Sequence, residues 1–151
     1  MKTEHQTIMA RALAEAEAAA ARGEVPVGAV VTGPDGTVLA AAGNRVEELN
    51  DPSAHAEVLA IRAAAAEIGS PRLIDCDLHV TLEPCPMCAQ AVSFARIRRL
   101  VFGAYDPKGG GVEHGPRIFG QPTCHHAPEV IGGVEESRAG DLLRSFFQDR
   151  R

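Results

Sequence analysis

The chain has 151 residues, of which 45% are hydrophobic, so it can bury a core without disulfides or other staples. We expect a single domain that spans residues 1–151. The formal net charge of −5 does not indicate the basic face that nucleic-acid binders usually need, although it does not exclude a local basic patch.

The hydropathy pattern carries no targeting or membrane signal. Residues 1–5 lead into an acidic segment without the apolar stretch of a secretory signal, and no run approaches the roughly 20 apolar residues that span a bilayer. We therefore expect a soluble cytoplasmic protein with no membrane partner. In that compartment, paired cysteines indicate metal binding or redox chemistry rather than disulfides. The four cysteines are Cys76, Cys85, Cys88 and Cys124.

The N-terminal part of the chain predicts a helix and a β-hairpin. Apolar residues recur at helical spacing over residues 3–22, and Gly23 is placed to end that helix. Two short apolar runs, 27–32 and 38–42, flank the turn residues 33–36 and predict a hairpin.

A second helix is predicted after the hairpin. Asp51 and Pro52 are typical of an N-cap followed by the first helical position, and Gly69 is placed to end the helix. This interpretation puts His55 and Glu57 near the first turn.

The next three elements predict the fold class. Residues 78–82 and 99–104 have the character of short strands, and residues 85–95 between them have the character of a helix. Strands that flank a helix favour a parallel β-α-β crossover, which makes the class α/β.

The C-terminal third is less regular. Residues 105–128 show no period and contain several Gly and Pro, which is typical of a functional or a disordered loop. A short run near Val130 and Ile131 follows, and residues 141–148 predict a final helix.

Three residues form a candidate metal site: His55, Cys85 and Cys88. The two cysteines are three positions apart on a predicted helix and can grip one ion, and His55 supplies a third ligand. Three protein ligands leave the fourth tetrahedral position of zinc for water, which is the arrangement of a catalytic site. Helix N-termini favour the anionic thiolates.

Glu57 is the candidate catalytic residue. A carboxylate two positions after a histidine reaches the same metal only if that metal lies beyond the helix end, which is where the predicted cap puts it. Beside a zinc-activated hydroxide, such a carboxylate can move protons. The alternatives are a solvated Glu57, a redox dithiol, and a closed zinc site with a fourth ligand from Cys124 or from the pair 125–126.

The residues also resemble a known family. His55-Ala56-Glu57 and Pro84-Cys85-Pro86-Met87-Cys88 match the His-x-Glu and Pro-Cys-x-x-Cys signature of the cytidine deaminase superfamily. Within it, the chain resembles the bacterial tRNA adenosine deaminases over nearly its whole length. The matching segments include residues 24–30, 44–45, 54–57, 81–85 and 101–104.

This resemblance implies a three-layer α/β/α fold with a central mixed five-stranded sheet, one Zn²⁺ per subunit, and a homodimer. The implied partner is a tRNA anticodon stem-loop, whose wobble adenosine is hydrolysed to inosine by attack of zinc-activated hydroxide at adenine C6. Glu57 would be the proton shuttle. Asn44 would bind the flipped adenine, Val27 would wall the base pocket, and Asp106 would contact the anticodon loop.

The resemblance also implies RNA contacts by Lys108, His125 and Phe147. The simpler interpretations are a turn role for Asn44 and solvated surface charge for Asp106 and Lys108. Tyr105 stands where the family often has a basic residue, which should weaken phosphate binding.

Two other functions fit the sequence. A free-base or nucleoside deaminase acting on guanine, cytosine or adenosine would use the same zinc chemistry, and the acidic net charge favours it. A non-enzymatic, zinc-stabilised RNA-binding module would not need Glu57. The cluster Arg96, Arg98 and Arg99 could form a basic patch that meets RNA or could be ordinary surface charge.

Overall fold

The computed structural model describes residues 1–150, which form five strands, five α-helices and one turn of 3₁₀ helix. In chain order these are α1 (Glu4–Ala21), β1 (Gly28–Thr32), β2 (Val38–Gly43), α2 (Val46–Leu49), α3 (Ala56–Ile68), β3 (Asp77–Leu82), α4 (Pro86–Phe94), β4 (Arg99–Ala104), the 3₁₀ turn (Ile118–Gly120), β5 (Glu129–Ile131) and α5 (Glu136–Gln148). No helix in this described range is both long enough and apolar enough to cross a membrane.

The strands form one mixed sheet in the order β2-β1-β3-β4-β5. Strand β1 is antiparallel to β2 and to β3, whereas β3, β4 and β5 run parallel. The predicted hairpin, the parallel crossover and the mixed five-stranded sheet are therefore confirmed.

Helices cover both faces of the sheet. Because strand side chains alternate, Val30 and Val101 face α1 and α5, while Val31 and Phe102 face α3 and α4. Each face buries its own apolar cluster. The expected three-layer α/β/α arrangement is therefore confirmed.

The start of α3 differs from the sequence prediction. The helix begins at Ala56 rather than Pro52, because the Asp51 side chain accepts a hydrogen bond from the Ser53 N–H (2.9 Å) and closes a turn instead of capping a helix. The Ala56 N–H donates to Asn44 Oδ1 (2.8 Å). His55 is therefore the N-cap residue.

Two further elements depart from the prediction. The four-residue helix α2 was not predicted, and α5 begins at Glu136, five residues before the predicted start at Asp141. The first turns of α5 are polar apart from Ala139, which packs against Gly103 of β4. The loop over residues 105–128 is ordered around its 3₁₀ turn.

We expect Gly28→Ala to destabilise the fold, because a Cβ at Gly28 would lie 1.9 Å from the Ala12 carbonyl oxygen of α1. Overpacking of this kind costs about 1–3 kcal/mol of unfolding free energy, which urea titration would measure. The matched control is Gly120→Ala, where nothing lies within 4 Å of the added Cβ and little change is expected. Equal unfolding midpoints for the two variants would contradict the close approach of α1 and β1.

Candidate metal and catalytic site

Three donor atoms meet where two helices begin. His55 is the N-cap of α3, Cys85 is the N-cap of α4, and Cys88 lies in the first turn of α4. Pro86 occupies the first position of α4, where its fixed φ suits a helix start. The predicted placement of all three residues at helix N-termini is confirmed.

The separations between the donor atoms suit zinc. His55 Nδ1 lies 3.6 Å from Cys85 Sγ and 3.4 Å from Cys88 Sγ, and all three donors lie within 4.8 Å of one another. Ordinary Zn–N and Zn–S bonds at a tetrahedral angle would separate nitrogen from sulfur by about 3.6 Å. The donor set therefore fits a tetrahedral ion with one position left for another ligand.

The pKa values of the Cys85 and Cys88 thiols shift in opposite directions. The pKa of Cys85 falls to about 4, chiefly because the Cys88 thiol donates to its thiolate. That same hydrogen bond, together with burial, raises the pKa of Cys88. A divalent cation would let both sulfurs ionise, because metal binding releases the ligand protons.

Glu57 is the second residue of α3 and is only 4% exposed. Burial raises the pKa of its carboxyl to about 7, which is the range in which a group can both accept and give a proton at neutral pH. Its carboxyl and the His55 and Cys85 side chains line one cavity. The expected convergence of His55 and Glu57 is therefore present, and it follows from the later start of α3.

The cavity has a volume of about 590 Å³, within the usual range of small-molecule sites. Val27, Asn44 and Asp106, three of the predicted substrate-binding residues, line it. Asn44 Oδ1 accepts from the Ala56 N–H, and the same residue lines the cavity.

The other three predicted substrate residues, Lys108, His125 and Phe147, do not line this cavity. Phe147 is 51% exposed and packs edge-on against Phe146. Their roles stay predictions about a larger surface.

Sequence reasoning missed Phe146 and Arg150, which line the cavity from the C-terminal end of α5. The Arg150 guanidinium lies over the Phe146 ring, 3.5 Å from its centroid. The adjacent Phe146 and Phe147 indicated that α5 has an apolar side. Their positions alone did not show which of the two faces the cavity.

Two buried carboxylates were also missed, Glu24 and Glu83, and both line the cavity. Glu24 accepts hydrogen bonds from the N–H groups of Glu47 (3.1 Å) and Glu48 (2.9 Å) and so holds α2 against the cavity. The sequence signal was that each acidic residue stands beside apolar residues in a segment that matches the family. Such a carboxylate is expected to be buried, and a buried carboxylate needs hydrogen-bond partners.

The alternative fourth ligands are engaged elsewhere. The Cys124 thiol donates to the His126 carbonyl oxygen (3.2 Å), and His126 Nε2 donates to the Ile97 carbonyl oxygen (2.6 Å). Within residues 1–150, neither they nor His125 joins the three-donor group. The closed zinc site is therefore not formed, and all four cysteines are free.

Arg98 and Arg99 lie at the opposite end of the sheet from the cavity. Arg98 and Arg99 stand at the start of β4, whereas the cavity lies past the end of β3. Both pair with Asp77, and Arg99 also pairs with Glu129. Arg98 and Arg99 therefore fit the simpler of the two interpretations, ordinary paired surface charge.

Comparison with known proteins agrees with this geometry. The family model for the cytidine and deoxycytidylate deaminase zinc-binding region matches residues 2–104. A tRNA-specific adenosine deaminase from Agrobacterium fabrum is 57% identical over 148 residues, which cover 98% of this chain and 97% of that protein.

Solved structures are similar as well. One from a study of A-to-I editing by tRNA:A34 deaminases at the wobble position of transfer RNA has a TM-score of 0.88 and 58% identity, covering 89% of this chain and 97% of that chain. A guanine deaminase from Nitrosomonas europaea has a TM-score of 0.81 and 27% identity, covering 93% of this chain and 83% of that chain.

The region that matches the family model is a zinc-binding region, and the three donors fit zinc, so zinc is the cofactor. The chain belongs to the cytidine and deoxycytidylate deaminase family.

Proposed function

We propose that this protein is a zinc-dependent deaminase that converts the wobble adenosine of a tRNA anticodon to inosine. The observation that carries the proposal is that the buried Glu57 lines the same cavity as the metal donors His55 and Cys85 and as Asn44. The similarity to tRNA adenosine deaminases along nearly the full chain supports RNA as the substrate.

His55, Cys85 and Cys88 would hold the zinc ion. When bound, zinc supplies Lewis acidity that makes a water molecule nucleophilic at neutral pH. His55, Cys85 and Glu57 line the cavity, so a base that enters it would present its C6 amino group to them.

Glu57 performs the proton transfers. Its carboxylate would take one proton from the attacking water and deliver it to adenine N1. It would then carry the remaining proton of that oxygen to the amino group, which leaves C6 as ammonia. The pKa of about 7 that burial gives this carboxyl suits both directions of transfer.

The remaining lining residues orient the base. Asn44 Nδ2 donates to the base, and the apolar Val27 side chain packs against its ring. Arg150, held over Phe146 at the cavity, supplies a positive charge for the substrate phosphates. Asp106, at the same cavity, contacts the anticodon loop.

A second candidate function is deamination of free guanine. The structural similarity to the Nitrosomonas europaea guanine deaminase supports it, because the same three donors and carboxylate would serve either base. A free base needs no contact with the RNA backbone, so this alternative gives Arg150 no role.

We also propose that the enzyme acts in the cytoplasm, where it would meet a tRNA substrate, and that it acts as a homodimer. Met87 and Phe94 are exposed apolar residues seven positions apart on α4, and so share one helix face. Exposed apolar patches of this kind mark association surfaces.

The proposed deaminase activity can be tested on an RNA substrate and on free bases and nucleosides in parallel. The zinc-loaded protein, incubated with an anticodon stem-loop that contains wobble adenosine, is expected to yield inosine at that position alone, while guanine, cytosine, cytidine and adenosine release little ammonia. Glu57→Ala should keep the zinc and the fold but lose turnover by at least about a hundredfold, the smaller end of acid–base contributions. If ammonia is released only from guanine, the tRNA proposal is wrong and the guanine deaminase alternative replaces it. If Glu57→Ala stays active, Glu57 does not transfer the protons.

The zinc-ligand roles of the two cysteines can be tested by substitution. Cys85→Ser and Cys88→Ser should each lose zinc, measured by elemental analysis, and should melt at a lower temperature because metal-binding energy contributes to folding. Cys76→Ser and Cys124→Ser are the matched controls and should keep one zinc per chain. Full occupancy in Cys85→Ser would disprove the ligand set.

The proposed homodimer can be tested by sedimentation. Wild-type protein should sediment as a dimer, and Phe94→Glu should shift it to a monomer, because Phe94 is 68% exposed on α4 and a charge there opposes apolar contact. Val38→Glu, a similar change at an exposed residue at the start of β2, should leave the dimer intact. A wild-type chain that sediments as a monomer would contradict the proposed dimer.

A further inference from the structure

The side chain of Glu83 is fully buried and accepts five hydrogen bonds from one loop. Its Oε1 accepts from the Asp106 N–H (3.0 Å) and from His114 Nδ1 (2.8 Å). Its Oε2 accepts from the N–H groups of Val112 (3.2 Å), Glu113 (2.9 Å) and His114 (3.1 Å). One carboxylate therefore holds both ends of the segment 106–114, which we call the cavity loop.

The cavity loop is pressed against the turn that carries the metal ligand Cys85. A Cβ at Gly110 would lie 2.4 Å from Glu83 Oε2, and a Cβ at Gly111 would lie 2.6 Å from the Pro86 nitrogen. The Gly111 N–H also donates to the Pro84 carbonyl oxygen (2.8 Å). Only glycine permits so close an approach.

The cavity loop also forms part of the substrate cavity, through Asp106 and Gly109. The Asp106 carboxylate accepts from the Gly109 N–H (3.0 Å), and its carbonyl oxygen accepts from the Gly110 N–H (2.8 Å). Because the Asp106 N–H is bonded to Glu83, the position of the Asp106 side chain in the cavity depends on that carboxylate.

We propose that Glu83 is a positioning residue for substrate recognition, which acts by fixing Asp106 at the cavity. The inference rests on the proposed tRNA deaminase activity. In that activity Asp106 contacts the RNA, and the buried Glu83 carboxylate determines where Asp106 lies. The Glu83 carboxylate is engaged by its five hydrogen bonds to the cavity loop. Its loss should therefore weaken substrate binding more than it slows the chemical step.

Glu83→Gln tests this role with a small change. The glutamine oxygen can still accept from the N–H groups of residues 112–114, and its amide nitrogen can donate to His114 Nδ1, but the Asp106 N–H loses its acceptor. We expect KM for the anticodon stem-loop to rise about tenfold, the equivalent of one hydrogen bond. The kcat value and the zinc content should change little.

A double-mutant cycle with Asp106→Ala separates positioning from a general structural role. If Glu83 acts through Asp106, the double variant should bind RNA no more weakly than Asp106→Ala alone. Glu24→Gln is the matched control, a buried carboxylate bonded to backbone N–H groups of α2, and its effect should multiply with that of Asp106→Ala. Multiplying effects for Glu83 and Asp106, or loss of zinc and kcat with an unchanged KM, would overturn the inference.

A second variant covers the case in which Glu83→Gln does not fold. His114→Phe removes the Nδ1 bond and keeps a ring beside Tyr105, so it should loosen the cavity loop. Hydrogen exchange at the amides of residues 106–114 should be slow in the wild type and faster in this variant. Unchanged exchange would overturn the positioning role.

The two proposals fail in different ways. If the wild type makes no inosine, the proposed function is wrong, and the exchange experiment still reports whether the carboxylate fixes the cavity loop. If the wild type is active and the variants of Glu83 and Asp106 act independently, only the positioning role is lost.

Discussion

The site depends on two helix N-termini that point to one place beyond the carboxyl end of β3. His55 and Cys85 are N-cap residues with extended backbone, so their side chains project past the helix ends rather than along the helices. The partial positive charge of both helix ends lies beside the sulfur atoms and favours thiolates. The position of Glu57 one residue into α3 follows from the same arrangement, because the first turn faces the gap between the helices.

This arrangement explains which parts of the site the sequence predicts. The spacing of Cys85 and Cys88 behind a strand, with Pro86 at the first position of α4, is a local pattern, and it correctly predicts that both cysteines lie at a helix N-terminus. The start of α3 is not local. Asp51 and Pro52 carry a strong cap signal, but a hydrogen bond from the Ala56 N–H to Asn44, twelve positions away, sets the first turn.

The walls of the cavity were harder to predict for a different physical reason. Which phenylalanine of α5 faces inward depends on the rotation of that helix about its axis, which is fixed where Ala139 packs on Gly103. Periodicity gives the spacing of a helix face but not its orientation towards a distant strand. The loop after β4 has no period at all, because its order comes from hydrogen bonds between backbone N–H groups and the Glu83 side chain.

Glu24 and Glu83 hold opposite parts of the cavity through backbone N–H groups, which every residue except proline possesses. Apart from the His114 ring, which also donates to Glu83, the side chains on α2 and on residues 112–113 are therefore not needed for these hydrogen bonds. Substitutions can accumulate there while the backbone frame stays in place. A deaminase built this way can change the nucleic acid or nucleobase that it recognises over evolution without first losing its fold or its metal.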